Sequence, residues 1–394
     1  MRLPIFGWML CAAAAMGRPL ASSAQTSATD LDCPPGSEQH LVPFDAPGAA
    51  TTVSPICGAY CGTFAYANND EGTVVGYYTD QYVVPHAFLR TPDGHFLSFE
   101  APGAGLGHSL NEGTAAYSIN GFGVIVGQYE DASFLYHAFI RYPDGRFTRF
   151  EAKDAGTVGV ASGVVGTFAY SVNSKGETAG VYFDASQVEH GFVRSPQGDI
   201  TEFDPTGSVS TMVCEETCLD PEGSAVGYYI DGTSTIHGFL RLRDGSITVI
   251  DAPGAGSGDY TGTIAASISA DQDIGGYFVD SGGAIHSFVR HRDGSYTIFN
   301  TPKAYAGPGS GTAAFSINAW GATTGIYTDS GFVQHGFAHG LGGHFDYFDA
   351  PGAGNGAGQG TRPSTNNIAG EVTGWYIDSA GLNHGFVWRR DRGF

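Results

Sequence analysis

Positive charge is scarce in this chain of 394 residues: 18 lysines and arginines stand against 39 aspartates and glutamates, a net charge of −21. Such a surface repels nucleic acid and anionic lipid, so neither is expected as a partner. Polyanionic glycans are disfavoured too, unless a local basic site or bridging cations intervene. Beyond the first twenty residues no apolar run is long enough to cross a bilayer, so no membrane span is expected. A ligand-dense Asp-x-Asp-x-Asp loop is missing as well. Loops such as Pro102 to Gly105 lack the Gly-Lys-Ser/Thr and the helix that would make them phosphate cradles. No cofactor is therefore expected, and calcium is the one ion that a carboxylate-rich face leaves open.

Cysteine is sparse, with six in all. Cys11 falls in an opening stretch made of Arg2, the apolar run Leu3 to Met16 and the small residues Ala21-Ser22-Ser23-Ala24. That order reads as a secretory signal over residues 1–24, which places the protein outside the cytoplasm, secreted or periplasmic. Leu10 before Cys11 does not suit a lipoprotein signal. A linker follows over residues 25–40, and residues 41–394 read as one domain. Without Arg2 and Arg18, 16 basic side chains face 39 acidic ones, about −23.

Export permits disulfides, and Cys57 and Cys61 could close on each other in a loop. Cys214 and Cys218 fall where the repeats described below place a strand. Four residues of extended chain span about 13 Å, too far for one bridge. Either that strand is broken or these two do not pair. Two Cys-x3-Cys pairs do not make a zinc spacing, and no metal site is assigned.

What the chain does have is 60 glycines, 13% aromatics and a strict period. A histidine, a small residue, a phenylalanine and an aliphatic or small residue recur seven times, from His86, His137, His190, His237, His286, His335 and His384. The intervals are 51, 53, 47, 49, 49 and 49 residues. Each repeat holds four short β-type runs, which in the second are Thr114 to Ile119, Val124 to Tyr129, His137 to Arg141 and Phe147 to Phe150. The first two runs are joined by an Asn-x-x-Gly type turn at Asn69, Asn120, Asn173, Asp220, Ser269, Asn318 or Asn367, residues that close local turns with their side chains. The last two are joined by Asp-Gly, as at Asp93-Gly94 and Asp144-Gly145, a strong hairpin signal. Seven sets of four antiparallel strands at about 50 residues predict an all-β fold, a seven-bladed β-propeller. The seventh repeat lacks its fourth strand. The run Leu41-Val42-Pro43-Phe44-Asp45 ahead of the first repeat matches it, so it is expected to pair into the last blade and close the ring.

These motifs, with Ser118-Ile119-Asn120, Ser316-Ile317-Asn318 and the Val-x-Gly-x-Tyr segment, resemble the HAF family of extracellular bacterial repeats, named for the His-Ala-Phe phrase. The resemblance covers about Leu41 to Phe394. It implies secretion and a repeated β fold, and it supplies no catalytic residue.

Seven histidines spread one per blade cannot converge on one ion. Each follows an acid, Asp80, Asp131, Asp184, Asp231, Asp280, Asp329 or Asp378, and the pair reads as a structural latch inside a blade. The acids that end the fourth strand, among them Asp45, Glu100 and Glu151, are expected on the same face, where they open turns. Departures from the repeat carry more chemistry. The channel-facing position of the first strand shows Tyr66, Tyr117 and Tyr170 in succession. The next repeat offers Glu215 and Glu216, and the last offers Arg362. These six are the candidate ligand-binding residues. Two readings follow. One is an exported binding module for a polysaccharide or a surface protein, acting at the channel mouth or loop face. The other is a carbohydrate-active enzyme, a glycoside hydrolase or polysaccharide lyase, working in the channel. The residues leave open whether the protein is an enzyme and what its oligomeric state is.

Overall fold

The computed structural model describes residues 39–107, 112–159, 163–214, 217–340 and 342–390. The expected signal segment, most of the linker, Cys33, His108, Glu215 and Glu216 lie outside the described residues. Within them the regular structure is 28 strands and one turn of 3-10 helix, Gly58–Tyr60.

Strands follow from the local sequence. In the second repeat they are Gly113–Ile119, Ile125–Glu130, Tyr136–Arg141 and Phe147–Phe150, within one residue of the runs read from the sequence. They pair antiparallel in chain order. The same four-stranded unit recurs from Gly62–Asn68, Gly166–Val172, Ser208–Val213, Gly262–Ile268 and Thr312–Ile317. The last unit has Gly360–Asn366, Val372–Ile377 and Asn383–Arg390, and its fourth strand is Gln39–Phe44. That strand pairs antiparallel with Asn383–Arg390, Leu41 opposite Trp388 and Phe44 opposite Gly385. Gln39 and His40, assigned to the linker from sequence, already pair with Arg390 and Arg389. Single parallel pairs, such as Tyr136 with Gly166, join some units, so hydrogen bonding runs through three sheets of 12, 8 and 8 strands.

First strands are buried along their length in the first, second, third and fifth units. Fourth strands are partly exposed, so the first strand lies inside and the fourth outside. Outside the fourth unit, first strands of neighbouring units pack side by side, including those of the last unit and the first. Each first strand carries a bulge, for example between Ala169 and Ser171. The bulge presses a carbonyl against the glycine of the Val-x-Gly-x-Tyr segment: a Cβ on Gly180 would lie 1.9 Å from Phe168 O, and one on Gly76 1.9 Å from Phe64 O. That close approach is why the motif needs glycine.

The Asn-x-x-Gly turns do more than reverse the chain. Asn69 donates through Nδ2 to Asn120 O, Asn120 to Asn173 O, and Asn173 to Asp220 O. Asn318 donates to Asn367 O, and Asn367 to Asn69 O, which ties the last unit to the first. A parallel set runs one rung further in. Val172 N–H donates to Ser118 Oγ, Cys218 to Ser171, Ile317 to Ser267, Asn366 to Ser316 and Asn68 to Thr365 Oγ1. Buried amides thus find partners across the unit boundaries, each such bond stabilising by about 1 kcal/mol net.

Candidate functional site

The inner strands gather the predicted tyrosines. Tyr66 and Tyr117 meet edge to face at 5.0 Å between ring centroids, and Tyr117 and Tyr170 at 5.2 Å. Their exposures are 3%, 1% and 3%, so these rings pack on one another and offer no open face. Gln128 Nε2 donates to Tyr117 OH at 3.3 Å. Trp375 extends the cluster, 5.3 Å from Tyr66 and 5.9 Å from Phe64.

Arg362 stands opposite Trp375 in the strand register, and both are half-buried. Its Nε donates to Gln334 Oε1 and its Nη2 to Gly358 O at 3.3 Å. The structure therefore brings Arg362 to the edge of the aromatic cluster. Sequence reading missed Trp375 and Gln334. Trp375 occupies the place that Tyr77, Gln128 and Tyr228 hold in other units, and being the one indole there is the signal that could have found it.

The fourth unit departs from the others where the sequence placed its charge. Nine residues separate Thr211 from Asp220, against six between Thr63 and Asn69, so three extra residues enter the inner strand. The inner strand Ser208–Val213 ends just before Cys214. Cys214 N–H donates to Val226 O, and Val226 N–H to Cys218 O. The strand is broken, and the disulfide Cys214–Cys218 closes the excursion with Cα atoms 5.4 Å apart. Cys57 and Cys61 are also bonded, at 5.3 Å.

Every repeat histidine is held twice. His86, His137, His190, His237, His335 and His384 meet Glu100, Glu151, Asp204, Asp251, Asp349 and Asp45 through Nδ1 at 2.5 to 2.9 Å. His286 meets Asn300 instead. The loop acids Asp80, Asp131, Asp184, Asp231, Asp280, Asp329 and Asp378 lie 3.1 to 3.9 Å from Nε2. The other oxygen of each loop acid accepts two backbone N–H groups in its own turn, as Asp80 does from Tyr82 and Val84. Each imidazole also stacks on an aromatic ring one strand away, as His335 does on Tyr327 at 4.8 Å. The hydrogen bond that His335 donates to Asp349 raises the His335 pKa, and the one that His384 donates to Asp45 raises that of His384. Backbone donation from Thr235 holds Asp231 down at about 2. Among the described residues no group of three or more His, Cys, Asp or Glu side chains is arranged to hold a metal ion. A cleft of about 270 Å³ lies where the first and last units meet, lined by Asp70, Glu71, Glu371 and Arg389 among others. There Glu371 is already paired with Arg389.

No family model matches the chain, and no curated protein matches it. Solved structures do. The lectin BP39L from Burkholderia pseudomallei is 12% identical over 82% of this chain and 93% of its own, with a TM-score of 0.53. A puromycin hydrolase follows at 15% identity, over 86% of this chain and 53% of its own, with a TM-score of 0.49. The fungal Aleuria aurantia lectin, a six-bladed β-propeller, is 12% identical over 79% of this chain and 94% of its own, at a TM-score of 0.37. At such identities the likeness is one of fold alone: the chain is all-β and shares the fold of the BP39L lectin.

Proposed function

We propose that the chain is an exported, seven-bladed β-propeller of the His-Ala-Phe repeat type, closed by the strand Gln39–Phe44, and that it binds a glycan. The bonds from Asn367 to Asn69 and from Asn68 to Thr365 support closure, because they join units some 300 residues apart in sequence. Two disulfides suit an oxidising compartment. The observation that carries the ligand class is the pairing of half-buried Arg362 with half-buried Trp375 at the edge of the aromatic cluster. A flat apolar ring beside a planar fork of donors matches a saccharide, which has an apolar C–H face and a rim of hydroxyls. The fold shared with a lectin agrees with this reading.

The test is retention of the mature protein on immobilised neutral and acidic polysaccharides, with and without calcium, while new chain ends are counted. Retention without new ends is expected. New ends that disappear on a point substitution would make the protein an enzyme, and no retention on any polymer would end the glycan reading.

A further inference from the structure

We infer that the junction of the sixth and seventh units holds a subsite for a neutral saccharide, built on Tyr305, Phe332 and Arg362. The inference rests on the glycan-binding reading and gives it a place. It starts from one turn position. Between second and third strands, Val83, Phe134, Gln187, Ser234 and Phe332 all have φ between +60° and +71°, where glycine is the undemanding residue. Gly283 and Gly381 fill the same position in the fifth and seventh units. Val83 is 2% exposed, so packing offsets its backbone cost. Phe332 is 44% exposed and carries that cost without being buried.

Phe332 is not isolated. Tyr305, from the crossover before it, is also 44% exposed, and its ring meets Phe332 edgewise at 6.3 Å. Phe332 O accepts from Gly358 N–H at 2.8 Å, and Gly358 O accepts from Arg362 Nη2 at 3.3 Å. Gly358 thus ties the backbone of Phe332, whose ring meets Tyr305, to the guanidinium of Arg362. A Cβ on Gly358 would meet nothing within 4 Å, so the space over it is open. A pyranose laid there sets its C–H face on the rings and its hydroxyl oxygens against the guanidinium N–H groups. The class is neutral because Asp329 and Asp378 open the loops on either side and the whole chain carries −21. An anionic sugar would meet that field.

The experiment compares the wild type with Phe332→Gly, Tyr305→Ala and Phe134→Gly by affinity electrophoresis in neutral polysaccharides of α-glucan, β-glucan, galactomannan and xyloglucan type and in acidic polysaccharides rich in uronic acid, at low and high salt. Phe332→Gly puts in the residue that two sister turns already use, so folding is kept, and thermal melting checks it. Expected is a loss of at least about tenfold in affinity for Phe332→Gly and Tyr305→Ala, with Phe134→Gly unchanged. Wild-type binding that survives Phe332→Gly overturns the subsite and leaves the glycan reading standing. Binding only to acidic polymers, weakening with salt, overturns the neutral class. No binding to any polymer overturns both.

Discussion

At the scale of single residues, the repeat histidine is an electrostatic rivet, a partly buried imidazole between two acceptors. For His335 and His384 the folded pKa is raised above the ordinary 6.5, so their stabilisation is present in full below that value and is lost as pH climbs through the raised one. Asp231 works the other way: held near 2, it contributes above the ordinary aspartate value and loses its contribution as pH falls towards 2. Thermal melts from pH 5 to 9 should show Tm declining above about pH 7, with a shallower decline in a His335→Gln, His384→Gln variant. Parallel curves for the two proteins would refute the assignment. The histidine and its preceding acid were legible in the sequence. The second acceptor was visible as a residue but was read only as a turn opener, although it follows its histidine by 14 residues in six units. That interval is constant because the hairpin between them has one length. A second recurrence passed unread: in six units the residue four beyond the histidine stacks on the preceding unit's outer strand. Arg141 lies 4.6 Å over Phe99, Arg194 4.9 Å over Phe150, and Trp388 takes the role at 4.5 Å from Phe348. The lone indole of Trp375 was there to be found in the sequence, but its half-buried setting was not, because exposure on a second strand depends on the size of the inner residue that covers it.

At the scale of the element, the bulged first strand and its glycine form one device. Gly180 has ordinary backbone angles, so Gly180→Ala acts through the collision with Phe168 O alone and should cost about 2–4 kcal/mol in urea unfolding. Gly176→Ala, in a turn where φ is +80° and the space is open, should cost only about 1 kcal/mol. Equal costs would mean that the close approach does not shape the strand. The fourth unit shows the same element under a different constraint. With three residues more than its sister units, the strand stops at Val213, and the Cys214–Cys218 bridge over five residues contributes about 2 kcal/mol on the chain-entropy account. The sequence posed this as a choice between a broken strand and unpaired cysteines, since four extended residues outreach a disulfide.

At the scale of the molecule, the seam between the first and last units decides integrity. Gln39–Phe44 covers the edge of Asn383–Arg390, and Asp45 supplies the acceptor for His384. Deleting residues 39–44 should lower Tm by more than about 10 °C and produce associated species on a sizing column, because Trp388 and Phe386, both fully buried, lose part of their cover. A monomer of unchanged Tm would show that the clasp is dispensable. The seam was legible in advance, because the seventh repeat lacks a run that a segment ahead of the first repeat matches. The seam also sets a timetable for biosynthesis. Asp45 and His384 are 339 residues apart, so at about 5–20 residues per second the first partner waits some 20–70 s for the second to leave the ribosome. A chain cut short by premature termination never receives its partner strand, whatever the quality of its earlier units.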